Sequence, residues 1–207
     1  MEYRHHQMSI ELPLKGIVTI DHIHLRQGLN CHGQLSLRAT LQEEEAIRLV
    51  EEEEELWIKL RAETGGEERV LFCGRAGTQG VIRKNGLLVL CARFFGGTRQ
   101  WDMGEKSQSF CRLQKSYGEV FGQVLKDYPK AELLDESSGG AVIGRFLLQY
   151  EETDWSFLKR LASHLGTVLV GGLFRIGMSI YCEYRKNMIQ RHEIPLLKAI
   201  FNGTHAS

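Results

Sequence analysis

Over the first ninety-odd residues, apolar and polar side chains alternate in short runs separated by polar, glycine-containing stretches, a period of two that extended strands satisfy and helices do not. The run GQLSLRATL is the clearest: Leu35, Leu37, Ala39 and Leu41 share one face, while Ser36, Arg38 and Thr40 share the other. With GIVTIDHIHL before it and the turn-rich RQGLNCHG between, a hairpin is predicted from about Lys15 to Gln42. Leu56 to Glu63 alternates again, TGGEE supplies a turn, and Arg69 to Arg75 followed by Gly80 to Phe95 adds two or three strands. Short antiparallel strands leave edges open to aggregation unless a sheet closes on itself or is layered. Residues 1–95 are therefore expected to form a β-barrel-like or sandwich unit. One segment breaks the pattern. Gln42 to Glu55 sets eight glutamates around Ile47, Leu49 and Val50, which predicts a short surface helix or acidic loop whose charges face solvent.

Near Gly96 to Trp101 the alternation gives way to polar, glycine-rich sequence, and a boundary between two units is placed there. Ser116 and Glu119 form a capping box, and Tyr117, Val120, Phe121, Val124, Leu125 and Tyr128 line one face of the helix it opens, with Pro129 as the stop. Lys130 to Ala141 reads as loop or short strand with the turn signal SSGG, and Val142 to Tyr150 as a strand. In QYEETDWSFLKRLASHLG, Asp154 is the expected N-cap. Trp155, Leu158, Leu161, Ala162 and Leu165 make the apolar stripe, and Gly166 ends the helix in a left-handed conformation. The chain as a whole is thus expected to be α+β with a β-rich first half, divided into residues 1–95, 96–172 and a tail, 173–207, of different texture.

Equal numbers of basic and acidic residues, 26 each, remove the global attraction that draws proteins to nucleic acid or anionic membranes. The polar N-terminus carries no run of signal-peptide length. Val168 to Ile180, the most apolar window, is interrupted by Arg175 and reads as buried strands and not a membrane span. A soluble product made in the cytoplasm is expected. Cys31, Cys73, Cys91, Cys111 and Cys182 include no CxxC pair and are expected to be buried reduced thiols. His22 and His24 share a strand face at a spacing two metal ligands could use, but nothing nearby completes a set, so polar-face histidines are the better reading, as for His5 and His6. Phosphate-cradling glycine motifs, nucleophile elbows and HExxH helices are absent from the sequence. Glu151, Glu152 and Asp154 are explained by the positive end of a helix. No cofactor, metal site or catalytic residue is expected.

The segment Gln149–Tyr150, Glu152–Thr153–Asp154, Phe157, Arg160–Leu161 and Gly166 resembles a motif of the VgrG spike proteins and the related phage late control D and tail hub proteins of contractile injection systems. There a strand ending Q-Y is followed by E-[ST]-D, a phenylalanine, R-L and a closing glycine. A weaker likeness lies upstream in Gly97, Thr98, Asp102, Lys106, Ser109, Phe110 and Tyr117, with Cys111 where the family commonly has glutamine. The resemblance spans about residues 15 to 172.

The resemblance implies the hub fold, a β-barrel-like domain followed by a smaller α+β domain. It also implies a non-catalytic structural role in a baseplate or type VI-like secretion system, and assembly as a homotrimer joining tail tube to spike, first in the cytoplasm and then in the particle. The nine residues of the first motif are then structural family-signature positions. After Gly172 the sequence departs from the family. IYCEYRKNMIQRHEIPLLKAIFNGTHAS is basic, Ile194 to Phe201 could form a short helix, and the expectation is a truncated or frameshifted ending that lacks the second barrel. A cell-wall hydrolase tied to the same machinery, using Glu151 or Glu152, and a small binding module remain as alternatives.

Overall fold

The computed structural model describes residues 2–5, 8–52, 54–64, 67–129, 131–172 and 179–184, with backbone only for residues 2–5, 64, 132 and 179–184. The helix expected at Ile194 to Phe201 lies outside the described residues, as do the side chains of His5 and His6.

The first half is one antiparallel sheet of seven strands. In chain order these are β1 (Glu2–His5), β2 (Met8–Glu11), β3 (Ile17–Arg26), β4 (Gln34–Leu41), β5 (Trp57–Thr64), β6 (Glu67–Lys84) and β7 (Leu87–Phe95). They are arranged β1-β2-β5-β6-β7-β4-β3. The predicted hairpin is the β3/β4 pair, with Ile23 opposite Leu37. Leu35, Leu37, Ala39 and Leu41 are buried in the core, with Leu12, Leu14, Leu56, Ile58, Phe72, Leu90 and Phe94. The sheet curls into a half-barrel, and its edge strands β1 and β3 are not bonded to each other. Full closure is therefore not how these edges are protected. On β3, bulges at Ile17/Thr19 and Ile20/His22 interrupt the edge, a common way of twisting it out of reach of another strand.

Where two strands were expected between Arg69 and Lys84, the chain forms one of 18 residues. A bulge between Ala76 and Thr78 absorbs the break in alternation, and a Cβ on Gly77 would come within 2.6 Å of the Phe95 ring. The strand turns back at Asn85 and Gly86, both left-handed (φ 50° and 80°), as a two-residue hairpin loop requires.

Helix α1 (Glu43–Glu51) lies against the inner face of the sheet. It buries Ala46 and Leu49, whereas Ile47 and Val50, which the sequence grouped with Leu49, are exposed. Helical geometry turns the 47/50 pair about a quarter-turn away from the 46/49 pair, and the sheet covers only the latter. The thiols also differ from expectation: Cys73 is buried, but Cys31, Cys91 and Cys111 are exposed, and the Cys182 side chain lies outside the described residues. Odd-numbered positions in β7 face away from the core, which accounts for Cys91.

The second half begins with a 3₁₀ turn, Gly97–Asp102, followed by β8 (Glu105–Phe110), α2 (Tyr117–Leu125), β9 (Glu132–Asp135) and β10 (Leu147–Thr153). Next come α3 (Asp154–His164), β11 (Thr167–Gly171) and β12 (Ser179–Tyr184). Strands β10 and β8 pair as a ribbon, while β11, β12 and β9 form a small mixed sheet in which β12 runs parallel to β9. The capping box forms as expected, with the Glu119 amide donating to Ser116 Oγ (3.1 Å) and the Ser116 amide to the Glu119 carboxylate (2.7 Å). Trp101, Phe110, Phe121, Trp155, Phe157 and Leu161 centre a second apolar cluster. The β3–β4 loop reaches this half through Asn30, whose amide donates to Leu169 O (2.8 Å) and whose side chain accepts from the Leu169 amide (2.9 Å). No helix among the described residues is long and apolar enough to cross a membrane.

Candidate functional site

The motif residues meet where β10 runs into α3. Between Gln149 and Glu152, β10 advances three residues while β8 advances two, from Gln108 to Lys106. The extra residue makes a bulge in which Glu151 adopts a left-handed conformation (φ 44°), a state costing an L-residue about 1–2 kcal/mol. Its amide is taken by Ser107 Oγ at 3.2 Å.

Two side chains brace the bulge from opposite sides. From within, the fully buried Gln149 amide donates to Glu152 O (2.8 Å) and Asp154 Oδ1 (2.9 Å), and its oxygen accepts from Gln108 Nε2 (2.7 Å). From outside, the Arg160 guanidinium donates to both Glu152 oxygens (3.3 and 2.7 Å) and to Leu148 O (2.6 Å) while lying over the Phe157 ring. Strand, bulge and the second turn of α3 are thereby tied together.

Asp154 is not the N-cap. Thr153 caps α3, accepting from the Ser156 amide at 3.1 Å, and its own hydroxyl donates to Asp102 Oδ1 at 2.6 Å. Asp154 is the first helical residue, and its fully buried carboxylate turns inward. There Oδ2 accepts from Lys106 Nζ (2.6 Å) and Tyr128 OH (2.7 Å). Lys106 also donates to Asp127 at 2.6 Å. Burial alone would lower the Lys106 ammonium, but the two carboxylates hold it above the ordinary lysine range. Burial, then the hydrogen bond to Asp154, pushes the Tyr128 phenol up to about 12.

A second polar chain adjoins the first through Asp102. Its Oδ2 lies 3.3 Å from His32 Nε2, and His32 Nδ1 lies 3.0 Å from the hydroxyl of the fully buried Thr98. Burial would raise the Asp102 carboxyl, yet the bonds from Thr153 and His32 bring it below the usual range. Burial outweighs Asp102 at His32 and lowers that imidazole, which packs against Trp155 with ring centroids 4.3 Å apart and the planes tilted by 38°. A neutral ring donating from Nε2 and accepting at Nδ1 fits these neighbours.

The motif residues therefore divide. Gln149, Glu152, Thr153, Asp154 and Arg160 form the brace; Phe157 and Leu161 are fully buried beneath it; and Gly166 ends α3 at φ 66°. Tyr150 takes no part and is 64% exposed. Of the upstream residues, Thr98, Asp102 and Lys106 join the network and Phe110 stacks on Phe157 at 5.5 Å. Sequence reasoning missed His32, Gln108, Asp127 and the hydroxyl of Tyr128. Tyr128 sat at a core position of the α2 pattern, where a phenol in place of phenylalanine is the one signal that a buried acceptor waits for it.

Glu152 is held by arginine and Asp154 is sealed from solvent, so neither is placed for acid–base work on a substrate. His22 and His24 lie exposed on the outer face of the sheet, and among the described residues no group of three or more His, Cys, Asp or Glu side chains could hold a metal ion. Elsewhere, a depression of about 290 Å³ between α1 and the β6/β7 hairpin is lined by Leu49, Val50, Gln79, Gly80, Val81 and Leu90, none of them titratable.

The β-rich fold, with its curled half-barrel sheet and few helices, is similar to that of phage tail proteins and VgrG-like components of type VI secretion. The 43 kDa tail protein of prophage MuSo2 from Shewanella oneidensis superimposes with a TM-score of 0.62 at 13% identity, over 84% of this chain and 52% of that one. An E. coli component of the type VI secretion system, itself structurally similar to the T4 tail proteins gp27 and gp5, gives 0.54 at 12% identity, over 84% and 49%. A tail protein from Neisseria meningitidis gives 0.54 at 11%, over 85% and 50%. The chain spans about half the length of these structures. No family model matches the sequence, and no curated protein matches it.

Proposed function

We propose that this chain is a structural hub component of a contractile phage tail or type VI-like injection apparatus, working by assembly and not by turnover. The observation that carries the reading is the Gln149–Asp154–Lys106–Tyr128 network. Gln149, Glu152, Thr153, Asp154 and Arg160 spend their hydrogen bonds on one another, on the adjoining backbone and on Asp102, Lys106 and Tyr128, which fixes the bulge and α3. The fold shared with phage tail and VgrG-like proteins supports the same conclusion.

On this reading three copies associate as a ring that connects tail tube to spike, and the chain passes from the cytoplasm into the assembled particle. Residues 1–95 and 96–172 act as two hub units, a division supported by the two apolar clusters, one drawn from residues 10–94 and the other from residues 101–169. Light scattering on the purified chain tests the proposal. A mass of three chains is expected, and a monomer at all concentrations refutes it.

A further inference from the structure

The zero formal charge includes two local groups of free charges of opposite sign, one on each side of the sheet. On the inner side, α1 buries Ala46 and Leu49 and turns its other face to solvent. That face presents Ile47 and Val50, 49% and 66% exposed, flanked by Glu44 and Glu51, which are exposed and make no ion pair among the described residues. An apolar pair bordered by free carboxylates has the layout of an interface core with a charged rim.

The outer side of the sheet carries the complementary layout. The register sets Arg38 opposite His22 and Cys91, and Arg93 opposite Ser36 and Thr78, so Arg38 and Arg93 are diagonal neighbours on one face. Both are exposed and without an ion-pair partner among the described residues. Further along the same face, toward the β6/β7 turn, Ile82 and Leu87 are more than half exposed. The same face thus carries an apolar pair and two free cations of opposite sign to the carboxylates on α1, while its exposed Asp21 is engaged by the hydroxyls of Thr19 and Thr40.

We propose that the acidic outer face of α1 in one copy docks on the basic outer face of the sheet in the next, head to tail. Because the two surfaces lie on opposite sides of the same unit, they cannot meet within one chain. Contacts between unlike surfaces propagate by rotation and close into a ring when the rotation divides a full turn. This inference rests on the assembly reading above and assigns that assembly its contact residues.

The test uses the full chain in two charge-reversed forms, Glu44→Lys with Glu51→Lys, and Arg38→Glu with Arg93→Glu, followed by light scattering and sedimentation. Every substituted side chain is exposed, and circular dichroism checks that each variant is folded. The wild-type oligomer is expected to weaken with rising salt, each variant to dissociate with Kd raised about tenfold or more, and an equimolar mixture of the two variants to regain mass. A wild-type oligomer indifferent to both reversals overturns this interface and leaves the assembly reading standing, as does dissociation of both variants without rescue on mixing. A wild-type chain that is monomeric throughout overturns the assembly reading itself, and this interface with it.

Discussion

Replacing Asp154 by alanine tests the network most directly, because that carboxylate collects donors from three separate elements. The substitution leaves one N–H of the buried Gln149 amide without its acceptor, the other keeping Glu152 O, and strips the acceptor from the half-buried Tyr128 hydroxyl. A buried polar group left unsatisfied costs roughly 1–3 kcal/mol. Lys106 loses less, because it is about one-third exposed and keeps Asp127. Part of the cost is returned, since a carboxylate no longer has to be desolvated. The sum is a loss of about 3 kcal/mol, which for a chain of this size lowers Tm by roughly 6–12 °C. Calorimetric and urea-induced unfolding of wild type, Asp154→Ala, Lys106→Met and the double variant give both the loss and the coupling, expected to be at least about 1 kcal/mol. A loss for Asp154→Ala of less than about 0.5 kcal/mol, with coupling near zero, would refute the view that a buried ion pair anchors α3 to β8. Tyr150→Ser serves as the control: it lies in the same motif but is exposed, and should stay within about 0.5 kcal/mol of wild type.

At Glu151, whose backbone is left-handed, valine should cost about 1–2 kcal/mol while glycine should be neutral or mildly stabilising, and equal melting of the two variants would argue against the bulge. Burial lowers His32, and burial also lowers His164, so below the ordinary histidine value near 6.5 the unfolded chain binds more protons than the folded one. Stability should therefore fall as pH drops from about 6.5 toward 5, and His32→Gln should flatten that dependence in denaturant titrations. An unchanged slope in this variant would contradict the buried neutral imidazole.

The expectation that these residues lie at a strand-to-helix junction followed from local pattern alone, because capping boxes, apolar stripes and the terminal glycine act within four residues of sequence. The same local reasoning placed the cap one residue late. Thr153 and Asp154 both carry an oxygen at the helix entrance, and propensity does not choose between them. The choice is made by Lys106 and Tyr128, 48 and 26 residues away, which draw the carboxylate inward and leave the amides to threonine. Likewise alternation told strand from turn but not whether β1 would meet β3, since closure depends on accumulated twist and on bulges that only pairing fixes.

What the sequence determined by itself was what periodicity and short-range hydrogen bonding govern: the β3/β4 hairpin and the β5 and β7 runs of the first half, the boxed start of α2, the end of α3 at Gly166, and the family likeness carried by Gln149 to Gly166. Tertiary structure alone decided which apolar residues of α1 stay wet, which thiols are exposed, and that the motif is a brace with Tyr150 left outside it. The physical reason is the range of the forces involved. A residue's own neighbours set its backbone conformation, whereas its burial and the partners of its polar atoms come from chain segments tens of residues away.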